Sequence, residues 1–264
     1  MDGVGNLMIQ LSQRLQTVAH YISTGHRVAD IGSDHAMLPV YLVQQKICPF
    51  AIAGELNEGP WQAATKQIAH ANLSSTIEAR RGNGLEVIAP HEVDSITICG
   101  MGGALISTIL EEGYKQGKLE GVTELVLQPN VGEDAVRAWL TEHDWALMDE
   151  TILEEDGKIY EVLHAKKIAG AKEWNKQLFS VDELSFPYAE PIREALALRM
   201  GPYLLKKQGD ILHKKWLAEI EKLDYIIASL SQSELSQTKA KLAAVKQDQQ
   251  LIREVLKWLY TDRH

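Results

Sequence analysis

The chain has 264 residues, 45% hydrophobic and 24% charged, with a net charge of −9. That composition belongs to a globular protein with room for one large domain or two of ordinary size. No run approaches the roughly 20 apolar residues that cross a bilayer, so no membrane partner is expected. The opening residues also lack the basic and apolar parts of a signal peptide. Cys48 and Cys99 give neither a disulfide framework nor metal-ligand spacing, so no metal is expected and the cytoplasm is the expected compartment. The charge is uneven: residues 1–166 sum to −12 and residues 167–264 to +3. An acidic body with a basic tail region is compatible with a polyanion that touches mainly the second part, although many solvated helical surfaces give the same sum.

In chain order, Leu7 to Ile22 reads as an amphipathic helix with Leu7, Leu11, Leu15, Val18 and Ile22 on one face. Short apolar runs then alternate with helical patterns, the signature of βα units and a parallel sheet. Strands are expected at Arg27–Ile31, Phe50–Gly54, Thr76–Arg80, Ser95–Cys99 and Glu124–Leu127. Helices are expected at about 36–45, at Pro60–Ala71, after Gly100-Met101-Gly102-Gly103 to about Glu112, and at Glu133–His143. Thr151–Glu155 and Lys158–Ala165 are β-rich and joined by Asp156-Gly157, a strong hairpin signal. The expected fold is therefore α/β, a class I Rossmann-like methyltransferase sheet, parallel with a terminal antiparallel hairpin. From about Ile168 the β character ends. Trp216, Ile220, Leu223, Ile227 and Leu230 form one heptad seam, and Leu235, Thr238, Leu242, Val245, Gln249, Ile252, Leu256 and Leu259 form another. A two-helix antiparallel hairpin is the economical reading. The expected division is a catalytic domain over 1–166 and a helical coiled-coil extension over 167–264.

The first strand runs into Asp30-Ile31-Gly32-Ser33-Asp34-His35. A dinucleotide fingerprint needs three glycines here so that a pyrophosphate can sit on the helix N-terminus. Those glycines are missing and acids stand in their place, which disfavours a nicotinamide oxidoreductase. A ligand with a sulfonium and an ammonium group, S-adenosylmethionine, suits the acids better. Glu55 lies 23 residues beyond Gly32, where an acid accepts from both ribose hydroxyls. Asn83, between Gly82 and Gly84, can meet an adenine edge, and Gly100-Met101-Gly102-Gly103 is glycine-rich enough to line a ligand with backbone. Each signal alone is weak; their order at successive strand ends is strong.

These residues resemble the bacterial tRNA adenine-N1 methyltransferases that modify adenosine 22, the TrmK family. The resemblance runs through Leu11–Leu15, Ala29–Ala36 with Leu38-Pro39, Gly54-Glu55, Gly59-Pro60, Gly82–Leu85, Ile96–Gly103, Leu127–Asn130 and Glu154–Glu161. One departure stands out: Asn83 replaces the usual acid after the third strand, which keeps an acceptor for the adenine amino group without charge assistance. The resemblance implies methyl transfer from S-adenosylmethionine to adenine N1 in tRNA, with a helical C-terminal extension. It places the cofactor on Asp30, Gly32, Ser33, Asp34, His35, Glu55, Leu56, Asn83, Gly84, Gly100, Met101 and Gly102.

Substrate contacts are expected from Arg14, Gly103, Gln128, Pro129, Lys206, Lys207, Lys214 and Lys215. Gly102 and Gly103 would give the incoming base room. Asp34, His35 and Asn130 are the catalytic candidates: the first two would hold the methionine end, and Asn130 would face the base. DNA is not an expected partner, and the chain is expected to be a monomer or weak homodimer. A methyltransferase acting on another substrate is one alternative. Another is a non-catalytic S-adenosylmethionine-binding module that recruits a protein through its coiled coil; it requires the 216–259 seams to be exposed.

Overall fold

The computed structural model describes residues 8–232 and 236–261, with no side-chain description for 236–238. In chain order it contains α1 (Gln13–Tyr21), β1 (Val28–Ile31), α2 (Met37–Gln44), β2 (Ala51–Glu55), α3 (Glu58–His70) and β3 (Ile77–Arg81). A 3₁₀ turn at Gly84–Val87 leads to β4 (Ser95–Met101), α4 (Gly103–Lys115), β5 (Glu124–Pro129) and α5 (Glu133–Glu142). The hairpin β6 (Ala146–Glu155) and β7 (Lys158–Lys166) follows, then α6 (Ala171–Ser180), α7 (Glu190–Met200), α8 (Pro202–Lys207), α9 (Asp210–Ser231) and α10 (Ser236–Tyr260).

The seven strands lie in the order β3-β2-β1-β4-β5-β7-β6. Strands β1 to β5 pair in parallel, and β7 runs antiparallel to both β5 and β6. Buried apolar runs make the central strands: every residue of β1, β2 and β5 is buried, as expected for strands covered on both faces. Strand order reverses at β1, between β2 and β4, so a crevice opens beyond the carboxyl ends of these strands.

Two boundaries differ from the sequence expectation. The first helix begins at Gln13 because Ser12 caps it, its Oγ accepting from Leu15 N at 3.3 Å, and the Glu155 carboxylate accepts from Gln13 N. Residues 8–12 are not helical, although Leu11, Val18 and Ile22 are buried as the apolar face required; Leu7 lies outside the described residues. Strand β6 begins five residues before Thr151, with a bulge between Leu147 and Asp149 that breaks its alternation.

Helices α9 and α10 pack on one another. His213 stacks on Tyr260 at one end of the pair, and Gln249 Nε2 donates to Asp224 Oδ1 further along, so the two run antiparallel. Trp216, Ile220 and Leu223 of α9 and Ile252, Leu256 and Leu259 of α10 are buried in the same core cluster as the sheet. Toward the other end Ile227, Leu230, Leu242 and Val245 are only half-buried. Leu235 and the Thr238 side chain lie outside the described residues. A buried charge network clamps this helical part to the sheet. Arg137, with no exposed surface, donates to Glu150 and Glu161 and to the carbonyls of Leu198 and Arg199 at the end of α7. Lys215 of α9 adds bonds to Glu161 and Glu133. Removing one member of such a network strands its partners in low dielectric.

Candidate active site

The turn after β1 is held from within. Register places Asp30 beside Thr97, whose hydroxyl donates to Asp30 Oδ1 at 2.6 Å, and Ser33 Oγ donates to Oδ2 at 2.6 Å. Burial pushes the Asp30 carboxyl above its usual range despite these bonds. The Asp30 and Ser33 side chains, expected to touch a cofactor, are buried and spend their described hydrogen bonds on each other and on Thr97, so they shape the turn. Thr97 is the residue that sequence reasoning missed; its signal was a hydroxyl between two isoleucines inside an apolar strand. The Gly32 and Ser33 amides donate to the Gly54 carbonyl at 2.8 and 3.3 Å, so neither is free to cradle a phosphate.

Gly32 has φ 70, and a Cβ there would collide with the Met101 methyl group, so Met101 crosses the turn only over glycine. Asp34, His35 and Ala36 then all adopt left-handed backbone, with φ of 44, 64 and 56. Three such residues in succession cost on the order of 1–2 kcal/mol each, and strain of this kind concentrates at ligand sites. Ala36 is buried, but the first two side chains face outward: Asp34 is 92% and His35 62% exposed, with His35 Nε2 and Asp34 Oδ1 3.6 Å apart.

The Asp34 amide donates to Glu55 Oε1 at 2.7 Å. Glu55 is 7% exposed, and burial raises its carboxyl above the usual range. Oε2 has no hydrogen bond among the described residues. Leu56 follows with 57% of its surface exposed, and Asn83 is exposed at the end of β3. A buried carboxylate with a spare oxygen, an exposed apolar side chain and an exposed amide together match a ribose diol, a purine face and a purine edge. Gly84 does not belong to that set: a Cβ there would meet Ile109 Cγ2 at 3.0 Å, so it serves the packing of α4.

On the other side of β1, a chain of amides links three elements. Arg14 Nη1 donates to Gln128 Oε1 at 2.5 Å, and the Gly100 amide donates to the same oxygen at 3.1 Å. That fixes which end of Gln128 is nitrogen. Its Nε2 donates to Asn130 Oδ1 at 3.1 Å, and Asn130 Nδ2 in turn donates to the Gly100 carbonyl at 2.8 Å. The exposed Asn130 amide is therefore oriented, with a second lone pair on Oδ1 left to use. Arg14 also lies over the Tyr160 ring, 5.4 Å from its centroid. Asn130 is not the cap of α5, a position held by Gly132.

Several expected substrate contacts take other roles. Gln128 has no exposed surface and Pro129 is buried, so Gln128 orients Asn130 and neither reaches a ligand directly. Gly103 is buried where a Cβ would strike the Gly132 carbonyl oxygen, so it lets α4 pack on the β5–α5 loop rather than making room for a base. Gly102 stays open: a Cβ there would have Val131 Cγ2 as its nearest neighbour, at 3.9 Å. The four lysines are paired within the protein, Lys206 with Glu183, Lys207 with Asp149, Lys214 with Glu154, and Lys215 with Glu133 and Glu161. Lys207 and Lys214 keep 51% and 61% of their side chains exposed, whereas Lys215 keeps 22% and is not a free cation. Among the described residues no cluster of three His, Cys, Asp or Glu side chains is placed to hold a metal, and no helix is long and apolar enough to cross a membrane.

A seven-stranded sheet of this order, with polar groups gathered at its switch point, defines a Rossmann-like methyltransferase fold. The family model described as tRNA (adenine(22)-N(1))-methyltransferase, TrmK, matches residues 28–253, and the chain belongs to that family. It is 43% identical over 249 residues to the tRNA (adenine(22)-N(1))-methyltransferase of Bacillus subtilis, covering 94% of this chain and 98% of that one. The crystal structure of B. subtilis TrmK superposes with a TM-score of 0.82 at 42% identity, over 94% of this chain and 99% of that one. Streptococcus pneumoniae Sp1610 in complex with S-adenosyl-L-methionine aligns at 37% identity and a TM-score of 0.75, over 94% of this chain and all of that one.

Proposed function

We propose that this protein transfers a methyl group from S-adenosylmethionine to N1 of adenine 22 in tRNA. The carrying observation is the oriented Asn130 amide beside the open Gly102, at strand ends that also present Glu55, Leu56 and Asn83. The residues fit the cofactor: Glu55 Oε2 accepts from the ribose hydroxyls, Leu56 and Asn83 take the adenine ring, and Asp34 with His35 faces the methionine end. Bound there, S-adenosylmethionine supplies a methyl group activated by its sulfonium.

The chain's own residues then have a limited task. Adenine N1 attacks with a lone pair and carries no proton, so no base is needed at that atom. Positioning N1 in line with the methyl group is the main requirement. Because N1 lies on the Watson–Crick edge, a paired adenine must leave its partner first. Methylation makes the ring cationic, and Asn130 Oδ1 accepts from the N6 amino group as that charge develops. Arg14 and Gln128 hold Asn130 in the rotamer that presents its oxygen. The acceptor is neutral, which suits a group that must orient the amino group without itself becoming a nucleophile.

Residues 1–166 form the catalytic part in this reading, and 167–264 form a helical extension that contacts tRNA through its surface lysines, Lys207 and Lys214 foremost. The protein-recruiting alternative needs exposed seams, whereas α9 and α10 bury theirs against each other near the sheet. Incubation with unmodified tRNA and labelled cofactor, followed by digestion to nucleosides, tests the proposal. Label in 1-methyladenosine at one position supports it; label in N6-methyladenosine, or none in tRNA, contradicts it.

A further inference from the structure

A second concavity adjoins the first. Asn130, Val131 and Gly132 of the β5–α5 loop and Ile159 of β7 form one wall of a cleft of ≈ 430 Å³, and Trp216 and Ala218 of α9 form the other. That volume lies within the range of small-ligand sites. Val131 separates the two spaces: it is 68% exposed, lines the cleft, and is also the side chain nearest to open Gly102.

Two features of the lining indicate what the cleft takes. Its cations are already neutralised, Arg199 by Asp248, Lys215 by Glu133 and Glu161, and Lys222 by Glu219. Asp134 adds another acid to the rim. With five carboxylates to three cations among these groups, the wall does not attract phosphate; it leaves the cleft to an uncharged group. The second feature is Trp216. It is 4% exposed, and its indole Nε1 has no hydrogen-bond partner among the described residues. A buried indole N–H left without an acceptor is costly, and native proteins rarely tolerate one. Arg199 lies over the Trp216 ring, 5.3 Å from its centroid, which keeps the ring in place.

We propose that this cleft is a base-binding subsite, which takes the nucleobase next to the target adenine in the RNA strand. The base lies between Val131, Ile159 and Trp216 and, with a small shift of the side chains that cover the indole N–H in the free protein, offers a ring nitrogen or carbonyl oxygen to Trp216 Nε1. Val131 stands as a partition between the two bases, so a target and its neighbour that were stacked enter separate spaces. Recognition of unstacked bases by ring contacts and edge hydrogen bonds is the usual way single-stranded RNA is read. The inference rests on the proposed tRNA activity and goes beyond it by assigning a second nucleotide to a place on the enzyme.

The test uses full-length enzyme, an unmodified tRNA, and two versions of that tRNA carrying an abasic residue on the 5′ or the 3′ side of the target. Ala218→Phe fills the cleft from an exposed position on α9, and Trp216→Phe keeps a ring while removing the N–H. Affinity for RNA is measured by filter binding, alongside KM and kcat. On intact tRNA, Ala218→Phe is expected to weaken binding roughly tenfold, the scale of one lost base contact. Trp216→Phe is expected to weaken it about threefold, the scale of one neutral hydrogen bond. For both variants KM rises and kcat holds.

On one of the two abasic substrates, both penalties vanish, because the occupant is already missing. Unchanged affinity in both variants, or an equal penalty on both abasic tRNAs, overturns the subsite and leaves the activity standing. Wild-type enzyme that binds cofactor yet methylates no tRNA overturns the activity and the subsite together.

Discussion

At the amino ends of the strands, Glu124 has no exposed surface and accepts from Ser23 N, Ser23 Oγ, Ser95 Oγ and His164 Nε2. At the carboxyl ends, Glu55 is nearly as buried, and its carboxylate accepts from Asp34 N alone among the described residues. Burial by itself would raise both carboxyls. For Glu124 the hydrogen bonds from His164, Ser23 and Ser95 more than offset it and hold the group down at about 2. For Glu55 burial wins, and the carboxyl sits above its usual range. One sheet therefore carries a saturated buried acid at one end and an undersaturated one at the other. The saturated acid holds structure together. The undersaturated one, next to strained backbone, is the acid that the proposed function gives to the cofactor.

The comparison can be broken most forcefully at Glu124. Glu124→Leu leaves its donors unpaired and is expected to cost about 3–5 kcal/mol, the scale for a broken buried charge network. Thermal unfolding should fall by roughly 10 °C, with cofactor affinity unchanged in the protein that remains folded. An unchanged melting temperature would contradict the structural role.

The same pair sharpens into a pH experiment. Glu124 has a folded value near 2 against 4.5 for the free side chain, so its contribution of about 3 kcal/mol is present above pH 4.5. It is lost as pH falls from 4.5 toward 2. Asp30 and Glu55 are shifted up and act in the opposite sense: what they contribute is present at low pH and lost as pH rises through their folded values. Denaturant titrations across pH 2–7 should show a steep acid limb in the wild type and a flattened one in Glu124→Gln. Equal limbs would contradict the assignment.

Asn130→Ala probes the carboxyl end. Removing one oriented group that meets charge developing in the transition state is expected to lower kcat roughly 100-fold, with cofactor affinity preserved. Asn130→Asp should recover part of the rate, since an oxygen acceptor remains. A loss expressed wholly in cofactor affinity would move Asn130 to a binding role. The smallest effect is expected at the surface. Lys214→Ala gives up an exposed pair with Glu154 and one cation, and should raise the tRNA KM about two- to fivefold at low salt, with little change in stability.

Much of the sheet was legible because its strands are short apolar runs separated by turn residues, and because Asp156-Gly157 announces the hairpin. What failed did so for local reasons. Ser12 sits inside an apolar pattern that continues through Leu11, so the helix seemed longer than its cap allows. The bulge after Leu147 hid the first half of β6 by breaking period-two alternation. In the site, the order of Gly32, Glu55, Asn83 and Gly100 could be read from strand ends, since topology alone brings strand ends together. The partners that decide each residue's role lie far off in sequence: Thr97 for Asp30, Gln128 for Arg14, Gly132 for Gly103, and Glu133 and Glu161 for Lys215. Such pairings exist only once the chain has folded, and they converted several expected ligand contacts into supports.

The most direct measurement is a calorimetric titration of S-adenosylmethionine, and of its demethylated product, into wild-type protein and Glu55→Gln in parallel. Wild-type protein should bind one equivalent of each, and Glu55→Gln should bind roughly 10- to 100-fold more weakly, the scale of hydrogen bonds to a charged acceptor, while melting within about 2 °C of the wild type. Equal affinity in the two proteins, or no heat from either at millimolar ligand, would contradict the assignment of the undersaturated end of the sheet to the cofactor.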